Sequence, residues 1–287
     1  MKSASWIDLD NDTVKELVIA AEWSPVSIFR NIAGKLQEVP PAETGLSGTE
    51  GWWNVITPLD MDGDGDLDIA VGNMGLNSKL RTSQEHPVHL YAGDFDKNDS
   101  TDQLLTYFIG DKEYPFYTRD ELTKQMPYLK KKYLSYRKFA ATSFHEMFSD
   151  EVLATAEKYV ANTFETCLVE NLGGLKFRMK KLPVAAQFST VNAILANDLD
   201  ADGKVDLLLA GNYYPINIQM GRNDASYGVY LRGDGKGNFT SLAAIHSGFS
   251  VQGEVRKLLR LNIAGRPHFI AVRNNDSVQC FTYREYE

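Results

Sequence analysis

The stretch Asp60-Met61-Asp62-Gly63-Asp64-Gly65-Asp66-Leu67-Asp68 decides the reading of this chain, because the chain contains it four times in graded form. Asp198-Leu199-Asp200-Ala201-Asp202-Gly203-Lys204-Val205-Asp206 repeats the carboxylates at positions 1, 3, 5 and 9 and the glycine at position 6. Asp94-Phe95-Asp96-Lys97-Asn98-Asp99-Ser100-Thr101-Asp102 is a looser copy, and Asp8-Leu9-Asp10-Asn11-Asp12-Thr13-Val14-Lys15-Glu16 is looser still. Crowding carboxylates into nine residues is electrostatically costly unless a hard cation neutralises them. Ca²⁺ takes roughly six to eight oxygen ligands from Asp, Asn and backbone carbonyl groups.

The expected metal ligands are therefore Asp60, Asp62, Asp64, Asp66 and Asp68, and Asp198, Asp200, Asp202, Lys204 and Asp206. The looser loops offer Asp94, Asp96, Asn98, Ser100 and Asp102, and Asp8, Asp10, Asp12, Val14 and Glu16. At position 7 the ligand is expected to be a main-chain carbonyl, since Lys204 has no side-chain oxygen. These are not EF-hands, which close on a bidentate Glu at position 12 between helices. Here position 12 is Ile19, Val71, Leu105 or Leu209. The flanks, such as Val55-Ile56-Thr57 and Leu67 to Val71, or Val191 to Ala196 and Val205 to Ala210, read as strands. The unit is a β-hairpin clamped by a cation, with position 6 in a turn that needs positive φ. By that test Gly65 and Gly203 mark the best loops and the β-branched Thr13 the poorest.

A pattern D-x-D-x-D-G-x-x-D followed by an apolar strand resembles the FG-GAP/VCBS-type repeats of integrin-α-like β-propellers. Glu170-Asn171-Leu172-Gly173-Gly174-Leu175-Lys176-Phe177 and Gly233-Asp234-Gly235-Lys236-Gly237-Asn238-Phe239 are similar to the blade-ending signature of that family. Gly211-Asn212, Gly221 to Gly228, Glu113-Tyr114-Pro115-Phe116 and Arg119-Asp120-Glu121-Leu122 resemble, more narrowly, VCBS-repeat proteins of Bacteroidetes that travel with ASPIC/UnbV-type domains. The resemblance implies an all-β fold, a β-propeller of four-stranded blades, and calcium. It further implies an exported protein of the cell envelope or outer-membrane surface, with further domains on the same polypeptide.

The 287 residues are 43% hydrophobic and 24% charged, enough to bury a large core. The formal net charge of -8 comes largely from the Asp loops and argues against nucleic acid as a partner. No apolar run is long enough to span a membrane. Met1-Lys2 leads straight into a strand with no signal peptide, so the chain is expected to be a fragment of a longer exported protein. Cys167 and Cys280 lie in strand-like contexts and read as two small core hydrophobes, with a disulfide between them as the alternative.

About five blades are recognisable in what is expected to be one domain over 1–287. They are Ser5 to Val39, the segments around Asp60, Asp94 and Asp198, and a last blade built from Lys257 to Leu261, Phe269 to Val272 and Val278 to Thr282. The turn Asn262 to Pro267 in the last has no carboxylate and should bind no metal. Between Asp102 and Asp198 the spacing breaks, and a helical insertion is expected over about 118–162. It opens on the capping box Thr118-x-x-Glu121, is interrupted by Pro127, and closes with a second helix over Asp150 to Val160.

Arg232-Gly233-Asp234 sits in a Gly-rich hairpin and reads as a turn rather than a recognition tripeptide. His145-Glu146 has no second His at a metalloprotease spacing, and His86 with His89 lacks an acidic partner at a ligand spacing. Arg119, Asp120, Arg222, Asp224 and Tyr227 remain as candidate ligand-binding groups, or else as structural ion pairs and turn caps. Their two segments are expected to meet on one face as an aromatic-walled groove for a sugar ring. Two functions follow: a non-catalytic, calcium-stabilised scaffold for a glycan or protein, and alternatively a calcium-dependent polysaccharide lyase or glycoside hydrolase on the same fold. Fold cannot choose between them.

Overall fold

Hairpins closed by the Asp loops are the units from which the fold is built. In a computed structural model describing residues 1–217 and 219–282, each loop joins two antiparallel strands. The pairs are Ser3–Ile7 with Glu16–Ala20, Val55–Leu59 with Asp68–Gly72, Val88–Gly93 with Asp102–Ile109, and Val191–Asn197 with Asp206–Gly211. Two more strands complete a four-stranded antiparallel sheet around each pair. In the first sheet these are Ser27–Ile32 and Lys35–Val39; in the fourth they are Val229–Gly233 and Phe239–Leu242. A fifth sheet has three described strands, Val255–Ile263, Arg266–Arg273 and Gln279–Thr282, its first turn tightened by Ala264 and Gly265 at positive φ. Glu22–Ser24 and Gly51–Trp52 form a small two-stranded sheet.

The second sheet departs from the linear blade order. Its outer strands, Cys167–Asn171 and Phe177–Lys181, return only after residues 73–166. The chain accordingly divides into two compact units, Met1–Ser78 with Phe164–Glu287, and Lys79–Thr163. The Asp94 hairpin belongs to the inserted unit, which therefore holds strands as well as the helices expected over about 118–162. Alternation within Val88–Gly93 marks a strand but cannot reveal which strand it will pair with.

Within the inserted unit the third sheet runs Lys112–Pro115, Asp102–Ile109, Val88–Gly93, Glu157–Ala161. Three hairpin-connected strands are followed by a fourth that returns beside the first, the order of a Greek key. The return carries the helices Arg119–Gln125, Leu129–Lys132, Tyr136–Ala140, Phe144–Met147 and Asp150–Leu153. The capping box is present: Glu121 N–H donates to Thr118 Oγ1, and Thr118 N–H donates to Glu121 Oε2 at 2.8 Å. Pro127 separates the first two helices. Leu122, Met126, Leu129, Tyr133, Phe139, Phe144 and Phe148 pack with Tyr91, Phe95 and Leu104 into one core. The helix expected over 150–160 stops at Leu153. Tyr159 and Val160, aromatic and β-branched, instead pair with Leu90 and His89 of the sheet.

In the first unit the central strands bury both faces and so read as unbroken apolar runs. Ile69, Val71 and Val169 face the first sheet with Val18, Ala20 and Ile28. Ala70 and Leu168 face the fourth sheet with Leu207, Leu209 and Leu231. Leu208 and Ala210 face the fifth, against Leu258, Phe269 and Ala271. Both cysteines are free: Cys167 is buried, its thiol pushed up to about 12 by that burial, while Cys280 is exposed and is no core residue. No helix among the described residues is long and apolar enough to cross a membrane.

Candidate metal centres

Three hydrogen bonds recur in all four Asp loops. The position-1 carboxylate accepts the N–H of position 6: Asp8 from Thr13 at 3.0 Å, Asp60 from Gly65 at 3.2 Å, Asp94 from Asp99 at 2.9 Å and Asp198 from Gly203 at 3.0 Å. The position-5 side chain accepts the N–H of position 7: Asp12 from Val14 at 2.7 Å, Asp64 from Asp66 at 3.0 Å, Asn98 from Ser100 at 2.8 Å and Asp202 from Lys204 at 3.0 Å. The position-9 carboxylate reaches back to the N–H of position 2: Glu16 to Leu9 at 3.0 Å, Asp68 to Met61 at 3.0 Å, Asp102 to Phe95 at 3.3 Å and Asp206 to Leu199 at 3.1 Å. Glu16 makes the bond with a side chain one methylene longer, so the loosest copy keeps the same frame.

The frame requires two left-handed residues, not one. Position 6 has φ of 73° at Thr13, 91° at Gly65, 63° at Asp99 and 82° at Gly203. Position 4 is also positive, at Asn11, Gly63, Lys97 and Ala201. The second requirement was missed in the sequence, where only Gly63 and Asn11 hint at it. Thr13 is the costliest of the eight, since a β-branched residue in this region is strained by about 1–2 kcal/mol. Thr13→Gly should therefore raise stability by about 1 kcal/mol, seen as a higher denaturation midpoint without a change in slope. A lower midpoint would mean that Thr13 makes a compensating contact.

Held this way, carboxylate oxygens from positions 1, 3 and 9 converge to within 4.8 Å of one another in every loop: Asp8, Asp10 and Glu16; Asp60, Asp62 and Asp68; Asp94, Asp96 and Asp102; Asp198, Asp200 and Asp206. Position 5 spends one oxygen on the turn, and position 7 has its N–H held by that same turn. Buried Oδ1 atoms of Asp8, Asp10, Asp62 and Asp96 receive no hydrogen bond. A buried carboxylate oxygen without a donor is unfavourable, and an all-oxygen set of this kind suits a hard divalent cation. The strain shows in the proton affinities. Burial, then the Asp62 and Asp64 charges, push Asp68 up to about 6 against the bonds from Asn171 and Met61. Burial and Asp64 do the same to Asp66, and burial raises Glu16 and Asp206.

The two best sequence matches differ in charge balance. In the Asp198 loop Arg232 Nε lies 2.7 Å from Asp200 and Lys204 Nζ lies 3.2 Å from Asp202. Burial works to raise Asp202, but Lys204 and Arg232 outweigh it and hold the carboxyl below its usual range. The Asp60 loop has no such basic pair among the described residues.

Supports behind the position-9 carboxylates come from the third strands of the second and fourth sheets and from a helix of the inserted unit. Asn171 N–H donates to Asp68 at 2.8 Å, and its amide donates to the carbonyl of Leu9 at 2.7 Å, tying two loops together. Gly233 N–H and the Tyr230 hydroxyl donate to Asp206 at 2.9 and 2.8 Å, and Gln125 donates to Asp102 at 2.8 Å. Asn171 and Gly233 lie within the two blade-ending signatures, so the signal was in the sequence although their role was not. Arg232 and Gly233 end a strand, and the turn begins at Asp234, which accepts from Lys236 and Asn238.

The ligand-binding candidates fall into separate groups. In the inserted unit Arg119 donates to the Tyr133 carbonyl at 2.6 Å, pairs with Asp120 at 2.9 Å and lies over the Tyr136 ring, whose hydroxyl donates to Asp120. That network braces the helices. In the first unit Arg222 stacks on Tyr214 at 4.7 Å, and Tyr214, Asp224 and Tyr227 line a cavity of about 540 Å³ with Gln252, Glu254 and Asn274. His89 does have an acidic partner, invisible to local spacing. Glu113, buried across the sheet, accepts from Thr106, from His89 at 2.7 Å and from His145 at 3.0 Å. Burial works to raise Glu113, but these partners outweigh it and keep its carboxyl below the usual range.

With this geometry in place, residues 8–71 match the FG-GAP-like repeat. The matched stretch holds the first two Asp loops and the strands between them, from Glu16–Ala20 to Val55–Leu59, and over it the chain is similar to such repeats. No curated protein matches the chain.

Proposed function

We propose that this chain is a calcium-stabilised module of the FG-GAP β-propeller type that presents a rigid surface to a glycan or protein at the cell envelope, without catalysis. The observation that carries the proposal is the fourfold recurrence of one hydrogen-bonded frame converging three carboxylates. Asp60, Asp62 and Asp68, and their counterparts in the other loops, would hold the cation, with Asp64 and the Asp66 carbonyl as further donors. Bound Ca²⁺ neutralises the loop and locks the hairpin; it supplies no reactive group.

The cavity beside Tyr227 is the favoured ligand surface. Two tyrosines, several amides and three carboxylates offer a sugar aromatic surface and hydrogen-bonding partners. A lyase would need a His or Lys base in such a cleft, and the groups that line this one favour binding instead. Glycan-array binding by the parent, Tyr227→Ala and Asp224→Asn tests this. At least about tenfold weaker binding by each variant, roughly 1.4 kcal/mol, is expected at unchanged melting temperature. Equal binding by all three, or turnover of an acidic polysaccharide, would sink the reading.

A further inference from the structure

The helical return of the inserted unit reverses the charge of the chain around it. Between Arg119 and Ala140 stand seven basic residues and two acidic ones, although the whole chain carries a formal net charge of -8. Arg119 is committed to Asp120 and the Tyr133 carbonyl, and Lys132 donates to the Met147 carbonyl at 3.1 Å. Lys124, Lys130, Lys131, Arg137 and Lys138 are exposed, and no carboxylate among the described residues pairs with them.

Lysines on a helix surface are ordinarily no more than a solvated face. Here they flank apolar groups that the fold holds outward. Leu129, Tyr133 and Phe139 anchor the segment in the core, and of residues 130–138 only Tyr133 is buried. Leu134 is 80% exposed and Tyr136 62%. The turn that carries them is pinned on three sides. The Tyr133 carbonyl accepts from Arg119 at 2.6 Å, the Ser135 hydroxyl accepts the Lys138 N–H at 3.2 Å, and the Tyr136 hydroxyl donates to Asp120 at 2.7 Å. A lone exposed leucine needs no partner. This one is fixed beside a tyrosine, with the unpaired cations Lys130, Lys131, Arg137 and Lys138 all within four residues of it.

We propose that the turn at Leu134 docks on an anionic lipid surface. Leu134 and the Tyr136 ring enter the headgroup layer, and Lys130, Lys131, Arg137 and Lys138 meet the lipid phosphates. Apolar insertion beside a basic rim is the combination that holds a protein in the plane of a membrane interface. Tyrosine suits that depth, with an apolar ring and a polar tip, and the lysine stems reach past the leucine to the phosphates. An acidic polysaccharide would satisfy the cations equally but would leave Leu134 in water, so the leucine decides between them. Leu129–Lys132 and Tyr136–Ala140 are single helical turns, so the docking is peripheral.

Flotation with vesicles of phosphatidylcholine, with and without phosphatidylglycerol, tests this. EDTA is present throughout, so that occupancy of the Asp loops does not enter the result. The parent should float with the phosphatidylglycerol vesicles, stay behind with phosphatidylcholine alone, and be released by high salt. Lys130→Glu with Lys131→Glu should weaken binding about tenfold or more at unchanged melting temperature. Lys35→Glu with Lys257→Glu makes the same change in net charge at exposed residues of the first unit and should bind as the parent does. Leu134→Ser, at a site too exposed to disturb folding, should also weaken binding about tenfold, and Leu134→Trp should tighten it. A parent that does not float overturns the proposal, as does equal binding by the Lys130, Lys131 variant. Equal loss in the Lys35, Lys257 variant would reduce the effect to net charge and overturns it too. Binding that survives Leu134→Ser undiminished overturns it as well, the result expected if the cations serve an acidic polysaccharide instead.

Discussion

Asp206→Ala is expected to destabilise the first unit by about 3–5 kcal/mol, with or without calcium. The Asp206 carboxylate is fully buried and accepts from three donors: Leu199 N–H at 3.1 Å, Gly233 N–H at 2.9 Å and the Tyr230 hydroxyl at 2.8 Å. Removing it strands buried donors, each worth about 1–3 kcal/mol when left unsatisfied. At roughly 2–4 °C per kcal/mol the melting temperature should fall by about 6–20 °C. Asp202→Ala is the contrast. Its carboxylate caps one turn and pairs with Lys204 and Arg232 near the surface, where solvent screening leaves such pairs little weight. In EDTA the two variants should therefore separate widely. Similar melting temperatures would show that position 9 is a ligand and nothing more.

Gly211→Ala is expected to be comparably severe for a different reason. A Cβ on Gly211 would lie 1.8 Å from the Thr190 carbonyl oxygen and 2.9 Å from the Asn192 nitrogen, both main-chain atoms that cannot swing away. Overpacking against fixed backbone costs about 1–3 kcal/mol and more when nothing yields, so a loss above about 3 kcal/mol is expected. Gly203→Ala meets no neighbour but must hold φ at +82°, a cost of about 1–2 kcal/mol. Urea denaturation of both should place Gly211→Ala well below Gly203→Ala. The reverse order would mean that the ends of the second strands do not approach their neighbours as described.

These contrasts show which parts of the fold the sequence could carry. The Asp loops were legible because carboxylate spacing, the position-6 glycine and the apolar strand that follows are local and repeat. So were the capping box at Thr118 and the break at Pro127. The nesting of the Asp94 sheet was not, since pairing of Val71 with Cys167 joins residues far apart and either partner would accept another apolar strand. The strand Glu157–Ala161 was read as helix because its apolar residues fit a helical period. Only the open edge of Val88–Gly93, a tertiary feature, makes it a strand. The position-9 supports were hidden for the same reason: Asn171 and Tyr230 look like blade punctuation and core until the sheets assemble. Arg119 and Arg222 were singled out together for their motifs, yet one is committed to Tyr133, Asp120 and Tyr136 and the other to Tyr214.

The central claim, that the converged carboxylates are cation sites, is tested most directly by thermal melting in calcium and in EDTA. A cation that binds only the folded state at about a hundredfold over its dissociation constant contributes about 2.7 kcal/mol per site. Calcium should thus raise the melting temperature by roughly 5 °C or more, and Asp62→Ala with Asp200→Ala should remove much of the rise. Coincident melting curves in calcium and EDTA would contradict the claim.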